Sequence, residues 1–283
     1  MFWRATVSQM SFMLKQKKAI IVFYILLAMV LTNFVMNVLL FRGTDIGMMY
    51  QPMKLLLLSW NRTMIGGDLL LGFLQIYPLL VVCSSGFSLA EEQQTKEKIL
   101  LSARMGNMSY HFSKVLAAFV VTFLIFILPF LIEIVLNCVS FPLTAQGDLS
   151  NWNYYDPAYK ESVENYLLGN IFLISPYLSA GLGTILFGVF SGLLSAFTVA
   201  FSSIFKFRYR IFLFLPVFIL LNLTEIVSGI LFKQGLGFRL SWYHYFLLFN
   251  DEPKNTGYFL AMILGLALFT VAGTYLGGKK DCM

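Results

Sequence analysis

Chemistry at a protein site needs ionisable or nucleophilic side chains that can meet, and this sequence offers few. It holds two histidines, His111 and His244, and three scattered cysteines, Cys83, Cys138 and Cys282. Neither set has metal-ligand spacing, and no nucleophile–base pair can be nominated. The cysteines read as reduced packing residues. Residues 273–280 nearly match the phosphate loop G-x-x-x-x-G-K-[ST], but the last position is Lys280, which lacks the magnesium-binding hydroxyl. An apolar run precedes the match where a phosphate loop needs a strand, so it reads as a small-residue helix end with basic anchors. The residues therefore point to no catalytic group, no metal and no nucleotide held by this chain.

The elements that would position any site are membrane spans. Of 283 residues, 58% are hydrophobic and 12% charged, with a mean hydropathy of +0.77. Soluble domains sit near 45–50% apolar and about 25% charged. That contrast excludes a soluble enzyme, a disordered tail and a nucleic-acid module. Runs able to cross about 30 Å of hydrocarbon occupy residues 19–41, 69–90, 115–139, 211–232 and 258–278, with a 41-residue run at 165–205. Charge decides whether the long run crosses once or twice. With one crossing, thirteen of the 20 basic residues fall on one side, in segments 1–18, 91–114, 206–210 and 279–283. A hairpin would erase that bias. The reading is six spans with both termini cytoplasmic. Pro176 divides the long run, and the crossing is expected at 179–205. The first run is too long, and lacks the cleavage site, for a signal peptide.

Three acidic residues border or interrupt the spans: Asp68, Glu133 and Glu225. At about 1.5 Å per residue they fall in the outer half of the bilayer or at its outer edge, with none at the midplane. That argues against a proton or sodium relay. They could form an acidic collar at an outer exit, or be three separate interface charges. In the fourth span, Ala180, Thr184, Gly188, Gly192, Ala196 and Ala200 make a stripe at a spacing of four, which allows another helix close approach. Ala261, Gly265, Gly273 and Gly277 make a weaker one in the last span.

Two segments belong to the cytoplasmic side. Trp3, Val7, Met10 and Leu14 share one helical face, which predicts a helix over 1–18 lying on the inner surface. Residues 90–114 open with Glu91 and Glu92, run through a polar helical stretch to Leu100 and Leu101, turn at Met105, Gly106 and Asn107, and end on Lys114. This predicts a short helix presenting charged and apolar groups to the cytoplasm.

That segment resembles the signature loop of the ABC-2-type permeases, the membrane subunits of one class of ABC exporters. Glu91 matches the acidic opening, Leu100 and Leu101 the leucine pair, and Lys114 the closing lysine. Thr95, Arg104 and Ser113 stand where the family more often has glycine, proline and glycine. The similarity extends over the whole chain: an inner-surface N-terminal helix, six spans, cytoplasmic ends, and an apolar aromatic segment at 232–249 like the family's re-entrant outer helices. The resemblance implies an all-α membrane protein forming one permease domain over 1–283. It implies that two separate ATPase subunits, which carry ATP and magnesium, dock on a coupling helix. Glu91, Glu92, Thr95, Glu97, Leu100, Leu101, Arg104 and Lys114 would serve that docking, and a second permease protomer would complete the path. The expected activity is outward movement of an amphipathic or lipophilic cargo, such as a peptide, antibiotic or lipid, across a bacterial plasma membrane. A sodium or other ion exporter of the same family, and a sensor or immunity subunit that signals without transport, are the alternatives. A membrane-embedded enzyme is disfavoured for want of a polar triad.

Overall fold

The computed structural model describes residues 2–44, 49, 51–59, 64–95, 97–143, 163, 165–205, 209–250 and 252–280, with backbone alone at 64, 65, 95, 97–99, 210 and 211. Among these there is no strand. The helices are α1 (Phe2–Leu14), α2 (Lys17–Leu40), α3 (Met64–Val81), α4 (Ser88–Thr95), α5 (Glu97–Met105), α6 (Asn107–Ser140), α7 (Gly169–Ile174), α8 (Pro176–Ile204), α9 (Leu215–Lys233), α10 (Trp242–Phe246) and α11 (Thr256–Lys280). Short 3-10 turns lie at Pro52–Leu55 and Arg210–Phe214, and a π-helical turn at Val82–Gly86 continues α3. Six helical stretches are long and apolar enough to cross a membrane: Lys17–Leu40, Gly66–Gly86, Asn107–Ser140, Pro176–Ile204, Phe212–Lys233 and Thr256–Lys280.

Contacts fix the up-and-down order. At one end, Lys18 at the start of α2 pairs with Glu91, and Lys280 Nζ at the end of α11 donates to the Ile204 carbonyl at 3.2 Å. At the other end, Asn37 Nδ2 donates to the Leu55 carbonyl at 2.9 Å and the Leu248 amide to Leu58 at 3.0 Å. The first end carries Lys15, Lys17, Lys18, Lys279 and Lys280 and is called the basic end below. The start of α2 and the end of α11 both lie there.

Local signals account for several helix limits. Pro176 sits in the first turn of α8, where its missing N–H costs nothing, behind the Ser175 N-cap whose hydroxyl accepts from the Leu178 amide at 3.4 Å. The helix thus begins three residues before the expected crossing. Gly106 separates α5 from α6 with φ +78, a conformation that favours glycine. This turn, not Lys114, starts the third spanning helix, which is therefore longer than the apolar run at 115–139.

Lipid is as apolar as the side chains, so the bundle is held by close fit and interhelical hydrogen bonds rather than by burial from water. Helices α6 and α8 approach each other closely. A Cβ on Gly192 would stand 2.8 Å from the Phe119 carbonyl oxygen, and one on Gly188 3.1 Å from the Phe123 ring. The whole stripe from Ala180 to Ala200 is buried against the rest of the chain. In α11 only Gly273 and Gly277 of the weaker stripe are buried, facing Ala200 and Ser203 of α8. Ala261 and Gly265 lie on an outward face.

Beside this seam, Tyr77 meets Phe126 at 5.8 Å and Phe246 at 5.1 Å, and Phe130 meets Phe187 at 5.3 Å between ring centroids. Such ring contacts add dispersion and quadrupole energy that lipid tails cannot match. A hydroxyl seam crosses the same layer. Ser85 Oγ lies 2.7 Å from Thr122 and 2.9 Å from Ser195, and Tyr77 OH lies 2.9 Å from Ser191. Ser84 and Ser85 belong to the π-helical turn, which sets two consecutive hydroxyls against α6.

Candidate functional site: a groove between α1 and α5

At the basic end, α1 and α5 leave a groove of about 360 Å³ between them. Ala5, Ser8 and Phe12 of α1 form one wall, Leu100, Leu101 and Arg104 of α5 the other, with Glu92 of α4 also lining it. One face of α1 carries Ala5, Gln9 and Met13 at a spacing of four, and all are buried. The large apolar residues Trp3, Val7 and Leu14 lie exposed on other faces, with Met10 half-buried. So the helix has two used sides: a small-and-polar side turned into the protein, and an apolar stripe left to its surroundings.

Under the groove lies a buried polar cluster. Lys114 on α6 is 0% exposed and forms an ion pair with Glu92, which is 4% exposed. Lys114 Nζ also donates to Gln9 Oε1 at 2.8 Å, and the Tyr110 hydroxyl donates to Glu92. Three helices, α1, α4 and α6, are thereby joined through two charges. A buried ion pair survives only when its desolvation is repaid by good geometry and further hydrogen bonds, and this one has both partners so supported.

Glu92 and Lys114 are thus buried in this pair and are not among the charged groups that the segment presents at its surface. Once α4 folds back beside the start of α6, the two charges neutralise each other out of water. Glu91 is also committed, pairing with Lys18 of α2, while the Lys18 ammonium lies 5.5 Å from the centre of the Phe87 ring. On α5, Leu100 is 70% exposed and Arg104 is exposed with no ion pair among the described residues. Leu101 is half-buried at the groove wall. The side chains of Thr95 and Glu97 lie outside the described residues.

The carboxylates of Glu133, Glu225 and Asp68 lie in separate surroundings. Glu133 is fully buried and accepts from Asn33 and the Leu57 amide. Glu225 is exposed, accepts from Ser241, and lies 3.9 Å from His244 Nε2. Asp68 is exposed and has no hydrogen bond among the described residues. They are thus not brought into a shared contact as an acidic collar. His244 also lies 3.2 Å from Glu252, to which Arg239 is paired at 2.7 Å. Burial pushes the His244 imidazole below its ordinary pKa, against an opposing pull from Glu252 and Glu225 and with smaller help from Arg239 and Lys254.

The sequence reading missed Gln9 and Tyr110. The available signal was the spacing of Ala5, Gln9 and Met13, a second face at helical period beside the apolar stripe. Chemically, the arrangement gives an exposed α5 surface mechanically tied to a spanning helix, and the described residues include no group of histidine, cysteine, aspartate and glutamate able to hold a metal. Compared with known proteins, the chain matches no family model, no curated protein and no solved structure.

Proposed function

We propose that this chain is the permease subunit of an ATP-driven exporter, similar to the ABC-2-type permeases, with the α1–α5 groove as the place where a separate ATPase subunit docks. The basic end then faces the cytoplasm, as the positive-inside rule requires. The single observation that carries the reading is the construction of the groove. An exposed helix, α5, precedes α6 across the one-residue turn at Gly106, and α4 beside it is locked to α6 through Glu92 and Lys114. A push on α5 has a stiff route into a spanning helix, so the energy source can sit on another polypeptide. On the opposite side, Phe246 of α10 rests on Tyr77 and Phe190, as a re-entrant outer segment would.

Two such protomers would pair, and cargo of amphipathic or lipophilic character would leave along their interface. The residues offered to the ATPase are Leu100, Leu101 and Arg104. Glu91, Glu92 and Lys114 act behind them as the support. The test is co-purification with a candidate ABC-class ATPase co-expressed with this chain. Leu100→Glu and Arg104→Glu together should reduce recovery of the ATPase at least tenfold while the permease stays folded. Undiminished recovery would remove the groove from the account.

A further inference from the structure

At the end opposite the groove, His244 of α10 stands between carboxylates from two segments. Its Nε2 lies 3.9 Å from Glu225 of α9, and its Nδ1 lies 3.2 Å from Oε2 of Glu252, which follows α10. Asn250 Nδ2 also lies 2.9 Å from Nδ1. The Asn250 amide is oriented by a second bond, because its Oδ1 accepts from the Glu252 backbone amide at 3.3 Å. That bond sets the side-chain nitrogen, which can only donate, against Nδ1. Nδ1 must then accept, so neutral His244 carries its hydrogen on Nε2, on the side of Glu225.

This tautomer leaves one atom unserved. Glu252 Oε2 is buried and accepts no hydrogen bond, although Arg239 Nε lies 2.7 Å away as its ion-pair partner. While the ring is neutral, Oε2 faces the lone pair of Nδ1. One proton reverses the preference. With a hydrogen on Nδ1 the imidazolium can donate to Oε2, a charge-assisted bond, and the Asn250 N–H groups then face a donor. Asn250 must swing away, and its Oδ1 leaves the Glu252 amide. Two hydrogen-bond arrangements thus share one set of residues. The charges that act on the ring, among the described residues, are Glu225, Arg239, Glu252 and Lys254. Helix α8, packed against α10 through Phe190 and Phe246, has no charged residue. The segment is tied to its neighbours: the Leu240 amide donates to Ser228 of α9 at 2.9 Å, and the Tyr258 hydroxyl of α11 donates to the Leu240 carbonyl at 2.9 Å.

We propose that His244 is a proton switch: one proton turns Nδ1 from accepting from Asn250 to donating to Glu252, and so releases the Glu252 amide ahead of α11. The His244 side chain is 16% exposed, so the proton comes from the medium at that end. Burial holds the imidazole below its ordinary pKa, so the neutral arrangement is the resting one and the switch acts on acidification. The switch is independent of the ATPase reading, and its test needs no ATPase.

The experiment is magnetic resonance of the imidazole nitrogens in the purified full chain in detergent, with isotope-labelled histidine and His244→Gln to identify the signals. Hydrogen exchange of the Glu252 amide, relative to its intrinsic rate, is followed over the same pH range. The expected result is a neutral ring with its hydrogen on Nε2 at about pH 8, protonated between about pH 7 and pH 5. Protection of the Glu252 amide should fall about tenfold in step, the worth of one hydrogen bond. Asn250→Ala removes the competing donor and should raise the His244 pKa, whereas Glu252→Gln weakens the acceptor and should lower it. A neutral ring with its hydrogen on Nδ1 would overturn the proposal, and that reading needs only the wild type. So would a ring that stays neutral down to pH 5, a titration that leaves the Glu252 amide equally protected, or a pKa that falls in Asn250→Ala.

Discussion

Lys114 is the residue on which the basic end turns. Replacing it by Met leaves Glu92 buried without a counter-charge, a change that typically costs about 3–5 kcal/mol. The double variant Lys114→Met with Glu92→Leu removes both charges and should recover most of that loss. Unfolding of the three variants in detergent checks this, and a double variant no better than the single would show that the pair contributes little. His244 carries a second residue-scale prediction. Its folded pKa lies below the ordinary value through burial, so the unfolded chain takes up the proton first as pH falls. The stability tied to neutral His244 is present above the unfolded pKa of about 6.5 and is lost on acidification below it. Protection of the amides of residues 239–250, measured as exchange relative to the intrinsic rate at each pH, should therefore fall between about pH 7 and pH 5, and His244→Gln should flatten that fall.

At the scale of elements, the α6–α8 contact sets the tolerance of the bundle. Gly192→Ala places a methyl against the Phe119 carbonyl and should destabilise by about 1–3 kcal/mol, the usual cost of overpacking. Gly181, on the same helix with nothing within 4 Å of the added Cβ, is the control. Gly181→Ala should be neutral or stabilising by up to about 1 kcal/mol, because alanine restricts the unfolded chain. The same melting experiment measures both, and equal effects would mean that the seam is not tight. These elements also show which parts of the fold could be read from sequence. Spans are local: a charge-free run, the break at Pro176 and the turn at Gly106 are written in adjacent residues. The small-residue stripe of α8 was legible for the same reason. The pairing of Glu92 with Lys114 was not, because it links residues 22 apart across a fold-back, and the default for a charge near a span end is water. Nor was the burial of residues 51–59, whose contacts come from α2 and α6. The inward face of α1 was masked by the more conspicuous apolar stripe of Trp3, Val7 and Leu14.

At the scale of the whole molecule, the two ends are built differently. The basic end has a groove, an exposed α5 and a charge lock to α6. The opposite end has an aromatic cluster of Tyr166, Phe172 and Phe249, and Glu133 held by Asn33 and the Leu57 amide. The bundle between them is joined by close α6–α8 contact and hydroxyl bridges, the packed route that the proposed coupling would use. On this account the energy enters at α5 from another protein. The most direct measurement places a photoreactive residue at position 100, on the exposed crest of α5, and cross-links in native membranes. The account predicts a covalent adduct with an ABC-class ATPase that changes in yield when ATP is added. Adducts confined to lipid or to a second copy of this chain would contradict it.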